Sequence, residues 1–109
     1  MQFHRFMWIW LLLAWFPLLT LALDNGGAEK GKEVYNRCSV CHGAEGEGNE
    51  AMAKMLKVAI PALGSKEVQA LDDAALKKII LEGKGKMQPV KLPDQELSDL
   101  IAFLRSLKK

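Results

Sequence analysis

An all-α fold follows from three features of the sequence. Apolar residues recur at three- and four-residue intervals, no stretch alternates as a half-buried strand does, and glycine and proline separate the periodic segments. Residues 28–40 put Gly31, Val34, Tyr35 and Cys38 on one helical face, with Lys30, Lys32, Glu33 and Arg37 elsewhere. The acidic, glycine-rich GAEGEGNE that follows His42 is a loop. Residues 50–57 form a short helix showing Met52, Met55 and Leu56. Pro61 forbids its extension by pushing Ile60 out of the helical region.

Residues 65–70 add one helical turn. Asp72 is placed to cap a helix over 73–82, whose apolar face is Leu76, Ile79 and Ile80 and which Gly83 ends. After the loop GKGKMQPVKLP, residues 94–107 carry the stripe Leu97, Leu100, Ile101, Leu104 and Leu107. Asp94 and Glu96 suit the start of that helix, and Lys108 and Lys109 its end. Three to five helices are expected in all, with no internal repeat.

The first 23 of the 109 residues are a separate object. MQFHRFMWIWLLLAWFPLLTLAL holds all three tryptophans, three of the four phenylalanines and no acid. His4 and Arg5 give a basic start, residues 6–19 an apolar run, and Thr20-Leu21-Ala22 small residues at the spacing a signal peptidase reads. Residues 1–22 are therefore expected to be a secretory signal and residues 23–109 the exported domain, which implies a periplasmic location. A retained anchor to the inner membrane through residues 6–23 is the alternative, since about 20 apolar residues cross a bilayer.

Without residues 1–22 the chain has 14 basic and 13 acidic side chains. That balance gives nucleic acid no strongly basic face to bind. Tyr35 and Phe103 are the only aromatic residues left. A domain so small and so poor in large side chains has difficulty burying enough apolar surface to fold alone.

The only two cysteines lie in RCSVCHG, residues 37–43. A structural zinc site usually closes with four nitrogen or sulfur ligands, and Cys38, Cys41 and His42 are too few. A thioredoxin-like disulfide belongs beside a βαβ unit, and no strand is evident. A plain structural bridge across two residues would close almost no loop and add little stability. Haem attachment explains the histidine as well. On one helical turn Cys38, Cys41 and His42 share a face, so two thioethers and an axial imidazole reach one porphyrin. The macrocycle also supplies the apolar body the domain lacks.

With His4 in the leader, the sixth iron ligand is sought among thioethers, lysine nitrogens or water. Met52 and Met55 stand at helical spacing with Leu56, a pattern that usually means packing. Met87 stands instead in a loop between glycines and a proline. A flexible apolar side chain between Lys86 and Gln88 is a poor choice for a solvated loop, which favours it as the ligand.

With RCSVCHG, then GKGKMQPV, then LSDLIAFLRSL in that order, residues 28–107 resemble the small bacterial class I mono-haem cytochromes c. The resemblance implies one covalent haem c with its iron, and first and last helices that cross near Gly31, where Phe103 approaches beside Val34 and Tyr35. It also implies that the carbonyl of Pro61 accepts a hydrogen bond from the ring N–H of His42. Two positions depart from the family's pattern: Pro93 replaces the usual Ser or Thr cap of the last helix, and Gln88 the usual proline after the methionine. No tryptophan after residue 15 is present to hold a haem propionate.

A His/Met iron has no open position for substrate, so the expected function is one-electron transfer without catalytic residues. The partners would be redox proteins, an exported dehydrogenase or quinol oxidase-type donor and a terminal acceptor, docking transiently at the haem edge. Lys84, Lys86 and Lys91 are candidates for steering an acidic partner. The carrier would be a monomer or a subunit of a redox complex. The rival reading is a haem-based ligand sensor or weak peroxidase, which needs Met87 to leave the iron readily. A structural role in a respiratory complex is a third, tied to a retained leader.

Overall fold

The computed structural model describes residues 26–109 and, apart from these, Pro17 alone, so the predicted leader otherwise lies outside the described residues. Among the described residues there are six helices and no strand: α1 (Gly26–Tyr35), α2 (Ser39–His42), α3 (Glu50–Leu56), α4 (Lys66–Gln69), α5 (Asp73–Glu82) and α6 (Asp94–Ser106). No helix among them is long and apolar enough to cross a membrane.

Six helices replace the expected three to five because the segment predicted as one helix over 28–40 divides. The N–H groups of Asn36, Arg37 and Cys38 bond back to Glu33, Val34 and Tyr35, three residues away instead of four. Such bonds wind the chain more tightly than an α-helix and are short-lived along it. Ser39 then starts a new helical turn, α2. Its hydroxyl donates to the carbonyl of Asn36 at 2.8 Å, which satisfies one acceptor left over at the break.

α1 and α6 cross where α1 has no side chain. A Cβ at Gly31 would overlap the carbonyl of Asp99 and lie 2.9 Å from Cβ of Phe103, so only glycine admits this approach. Beside the crossing the rings of Tyr35 and Phe103 pack with centroids 4.9 Å apart and planes at 48°, within the tilted geometry that aromatic pairs favour. The domain's two aromatic residues thus hold its first and last helices together.

The core is Tyr35 from α1, Leu76 and Ile80 from α5, and Leu97, Leu100, Ile101, Phe103 and Leu104 from α6. Asp99 is buried within the same face and accepts a hydrogen bond from Nε2 of Gln95 at 3.0 Å.

Helix starts follow side-chain chemistry. Asn49, Ser65 and Asp72 each accept from an N–H three residues on, Asp72 at 2.7 Å. α6 begins at Pro93 without a side-chain cap, as the sequence implied. Its far end is tied down by Arg105, whose guanidinium donates to the carbonyls of Gln69 (2.9 Å) and Leu71 (2.6 Å) and to Oδ1 of Asp73 (2.8 Å). One side chain fastens α6 to the α4–α5 connection.

Candidate functional site

Three of the five predicted site residues occupy one turn. The carbonyl of Cys38 accepts from the N–H groups of Cys41 (3.2 Å) and His42 (2.9 Å), which winds Cys38, Cys41 and His42 onto a common face. Neighbouring backbone holds the turn in place. Tyr35 donates its hydroxyl to the carbonyl of Gly43 at 2.5 Å, and Gly43 leaves the helix with φ +83°, a conformation strained for other residues. The loop then folds back, so that Gly48 N–H meets the carbonyl of His42 at 2.6 Å and Asn49 N–H that of Cys41 at 2.9 Å.

Cys38, Cys41 and His42 line a cavity of about 620 Å³, with Pro61 and Met87 in the same wall. The volume is that of an ordinary cofactor site, about 300–1,000 Å³. Most of the remaining wall is aliphatic and comes from every part of the domain: Leu56, Val58 and Ile60 after α3, Leu76 and Ile80 of α5, Leu100 and Leu104 of α6. Of Met52, Met55 and Met87, only Met87 lines it, while Met55 is 68% exposed.

Met87 reaches the cavity from a tight hairpin that the sequence suggested only as a loop. Lys84 N–H donates to the carbonyl of Met87 at 3.1 Å, and Met87 N–H to that of Lys84 at 2.9 Å. Gly85 takes φ +56° at the first central position and Lys86 keeps a negative φ, the pattern of a two-residue II′ turn. Beyond it Val90 N–H bonds to the carbonyl of Ile80 at 2.8 Å, anchoring the hairpin to α5.

Burial sets the protonation states. It pushes the imidazole of His42 below its ordinary value, so the neutral ring with a free lone pair prevails. Burial pushes the Cys38 thiol up, with Arg37 opposing and Cys41 adding to the rise. The hydroxyl of Tyr35 is pushed up to about 12, mainly by burial and then by the nearby Cys38 and Glu47.

The Nδ1 atom of His42 is buried and has no hydrogen-bond partner. The bond expected from it to the Pro61 carbonyl is therefore not made in this structure, although both residues share the cavity wall. Buried ring nitrogens rarely go unpaired. With Nδ1 shut away, Nε2 is the ring nitrogen left to bind a group held in the cavity.

These residues fit an iron porphyrin: a neutral imidazole and two thiols on one turn, a thioether from another segment, and aliphatic walls. Two contributors were not foreseen. Tyr35, expected only at the helix crossing, also lines the cavity and fixes the exit from the histidine turn, and Arg37, expected on a solvated face, lines it too. The signal for Tyr35 was its place one helical turn before Cys38.

No curated protein and no solved structure matches the chain. The family described as cytochrome c matches residues 28–108, from α1 through the end of α6, and so takes in both the Cys38–His42 turn and Met87. The chain belongs to the cytochrome c family of haem-binding electron carriers, and its all-α architecture is that family's fold.

Proposed function

We propose that this protein is an exported one-electron carrier with a single covalent haem c. In this reading Cys38 and Cys41 add their S–H bonds across the two vinyl groups, and His42 and Met87 are the axial ligands. With haem bound, the carbonyl of Pro61 would accept from Nδ1 of His42, a bond absent from this structure, and so fix the ring and raise its basicity. Bound haem supplies a one-electron couple, and a thioether ligand raises its potential.

The observation that carries the reading is that Cys38, Cys41 and His42 share one cavity wall with Met87, 45 positions further along the chain than His42. The buried Nδ1 has no partner here, so it is available to the Pro61 carbonyl in the same cavity wall. With both axial positions filled by side chains, the residues are left to hold the group, exclude water through Leu56, Leu76, Ile80, Leu100 and Leu104, and present an edge to redox partners.

Export follows from the leader at residues 1–22, with removal after Ala22 and function in the periplasm. Docking is transient, at the edge beside Cys41 and the Met87 hairpin, where Lys84, Lys86 and Lys91 steer an acidic donor or acceptor. Electron-transfer rates that fall with ionic strength support the steering, and a flat profile removes it.

The test is spectroscopic and mass-analytical. The exported protein should have the mass of residues 23–109 plus one haem, and its ferric form the weak red absorption of thioether-bound iron. Reduced protein should bind carbon monoxide poorly. Met87→Ala should abolish the red band and admit carbon monoxide. If the variant's spectrum is unchanged, Met87 is not the ligand. A wild-type protein that binds carbon monoxide readily is the sensor or peroxidase instead.

A further inference from the structure

The cavity carries charge of one sign only. Arg37, Lys84 and Lys86 are its charged lining residues and no Asp or Glu stands in the described wall, although the chain as a whole has 13 acids to 15 bases. An aliphatic cavity bordered by cations suits a ligand that is apolar in body and anionic at its margin. Haem has that form, with two propionate carboxylates on one edge, and this domain offers them no indole.

Among the three cations, the fold fixes Lys84 most closely. It is the direct cross-hairpin partner of Met87 through two backbone hydrogen bonds of 3.1 and 2.9 Å. Directly paired residues stand about 5.5 Å apart at Cα with side chains on the same face of the ribbon. The Met87 side chain packs against the core cluster, and Lys84, itself exposed, lines the same cavity. Lys86 sits at the tip of the turn. Lys84 makes no ion pair among the described residues, so its ammonium is not committed to any carboxylate of the chain there.

We propose that Lys84 binds a haem propionate carboxylate by a charge-assisted hydrogen bond, taking the place of an indole donor. The proposal rests on the reading of Met87 as an iron ligand, since that ligation brings the macrocycle within reach of the hairpin.

The experiment uses the haem-loaded protein. Brief treatment with an amine-acylating reagent, mapped by peptide mass spectrometry, should modify Lys84 about tenfold more slowly than Lys91, an exposed lysine outside the cavity. Removing a cation beside the iron disfavours the reduced form. Lys84→Gln should therefore lower the equilibrium constant for reduction several-fold, where tenfold is about 59 mV for one electron. Lys91→Gln should change it less than about twofold, and Lys84→Arg should restore most of the loss. Acylation of Lys84 as fast as Lys91, or equal potential shifts in Lys84→Gln and Lys91→Gln, overturns the proposal while leaving the red band and Met87 untouched. A Lys84→Gln protein whose iron spectrum at neutral pH is that of a different axial ligand also overturns it, because Lys84 is then a ligand and not a propionate anchor. A wild-type protein without the red band overturns the Met87 reading and this one together.

Discussion

The hydroxyl of Tyr35 donates to the carbonyl of Gly43 at 2.5 Å, so a residue of the first helix holds the position immediately after His42. Tyr35→Phe keeps the ring against Phe103 but removes one of the two donors to a buried carbonyl, leaving it the Gly46 N–H at 3.3 Å, and should cost about 1 kcal/mol. Denaturant titration measures the loss. The variant should also change the alkaline limb. The phenol's acidity is held at about 12 in the fold against about 10 unfolded, so its contribution is complete below pH 10 and is lost as pH rises towards 12. The difference in stability between wild type and variant should shrink across that window and be constant below it.

Gly31→Ala tests the helix crossing. The added methyl meets the backbone of Asp99, which cannot rotate aside as a side chain tip would. A loss of about 3 kcal/mol is expected, at the upper end for overpacking. Thermal unfolding of the haem-loaded protein measures it, and an unchanged midpoint would show that α1 and α6 slide apart freely.

Arg105 and Asp73 should behave unequally although they form one ion pair. Asp73→Ala removes a partly exposed charge and should cost less than about 1 kcal/mol. Arg105→Ala also strips donors from the carbonyls of Gln69 and Leu71 and should cost about 2 kcal/mol. Arg105→Lys should recover little, since an ammonium cannot span the same fork of acceptors. A double-mutant cycle separates the two contributions.

The methionines should differ in reactivity. Met55 is 68% exposed, so dilute peroxide should oxidise it first, with Met87 protected by the cavity wall. Met55→Leu should leave spectrum and stability within about 0.5 kcal/mol of wild type. Early oxidation at Met87, read by peptide mass, would mean that its sulfur is open to solvent.

Much of the fold was legible because α6 repeats apolar residues cleanly: Leu97, Leu100, Ile101 and Leu104 are all buried. Asp72 was readable as a cap because its short carboxylate precedes an apolar run by the right interval. The division of the first helix was not readable, since Gly31, Val34, Tyr35 and Cys38 continue one helical period across a break made by backbone bonds alone. Burial of Asp99 was hidden for a related reason. A charged residue between Leu97 and Leu100 reads as solvated until Gly27 and Gly31 of α1 are known to lie against it. The cysteine–histidine turn was legible as a motif, whereas the cationic rim and the Lys84–Met87 pairing depend on which residues tertiary structure brings opposite each other.

Five of the eight core side chains belong to α6, and among the described residues no other pair of helices packs as extensively as α1 with α6. Without the residues from Asp94 onward the domain lacks most of that interior, and the wall of the cysteine cavity loses Leu100 and Leu104. Docking of this thirteen-residue helix therefore completes the wall around both thiols.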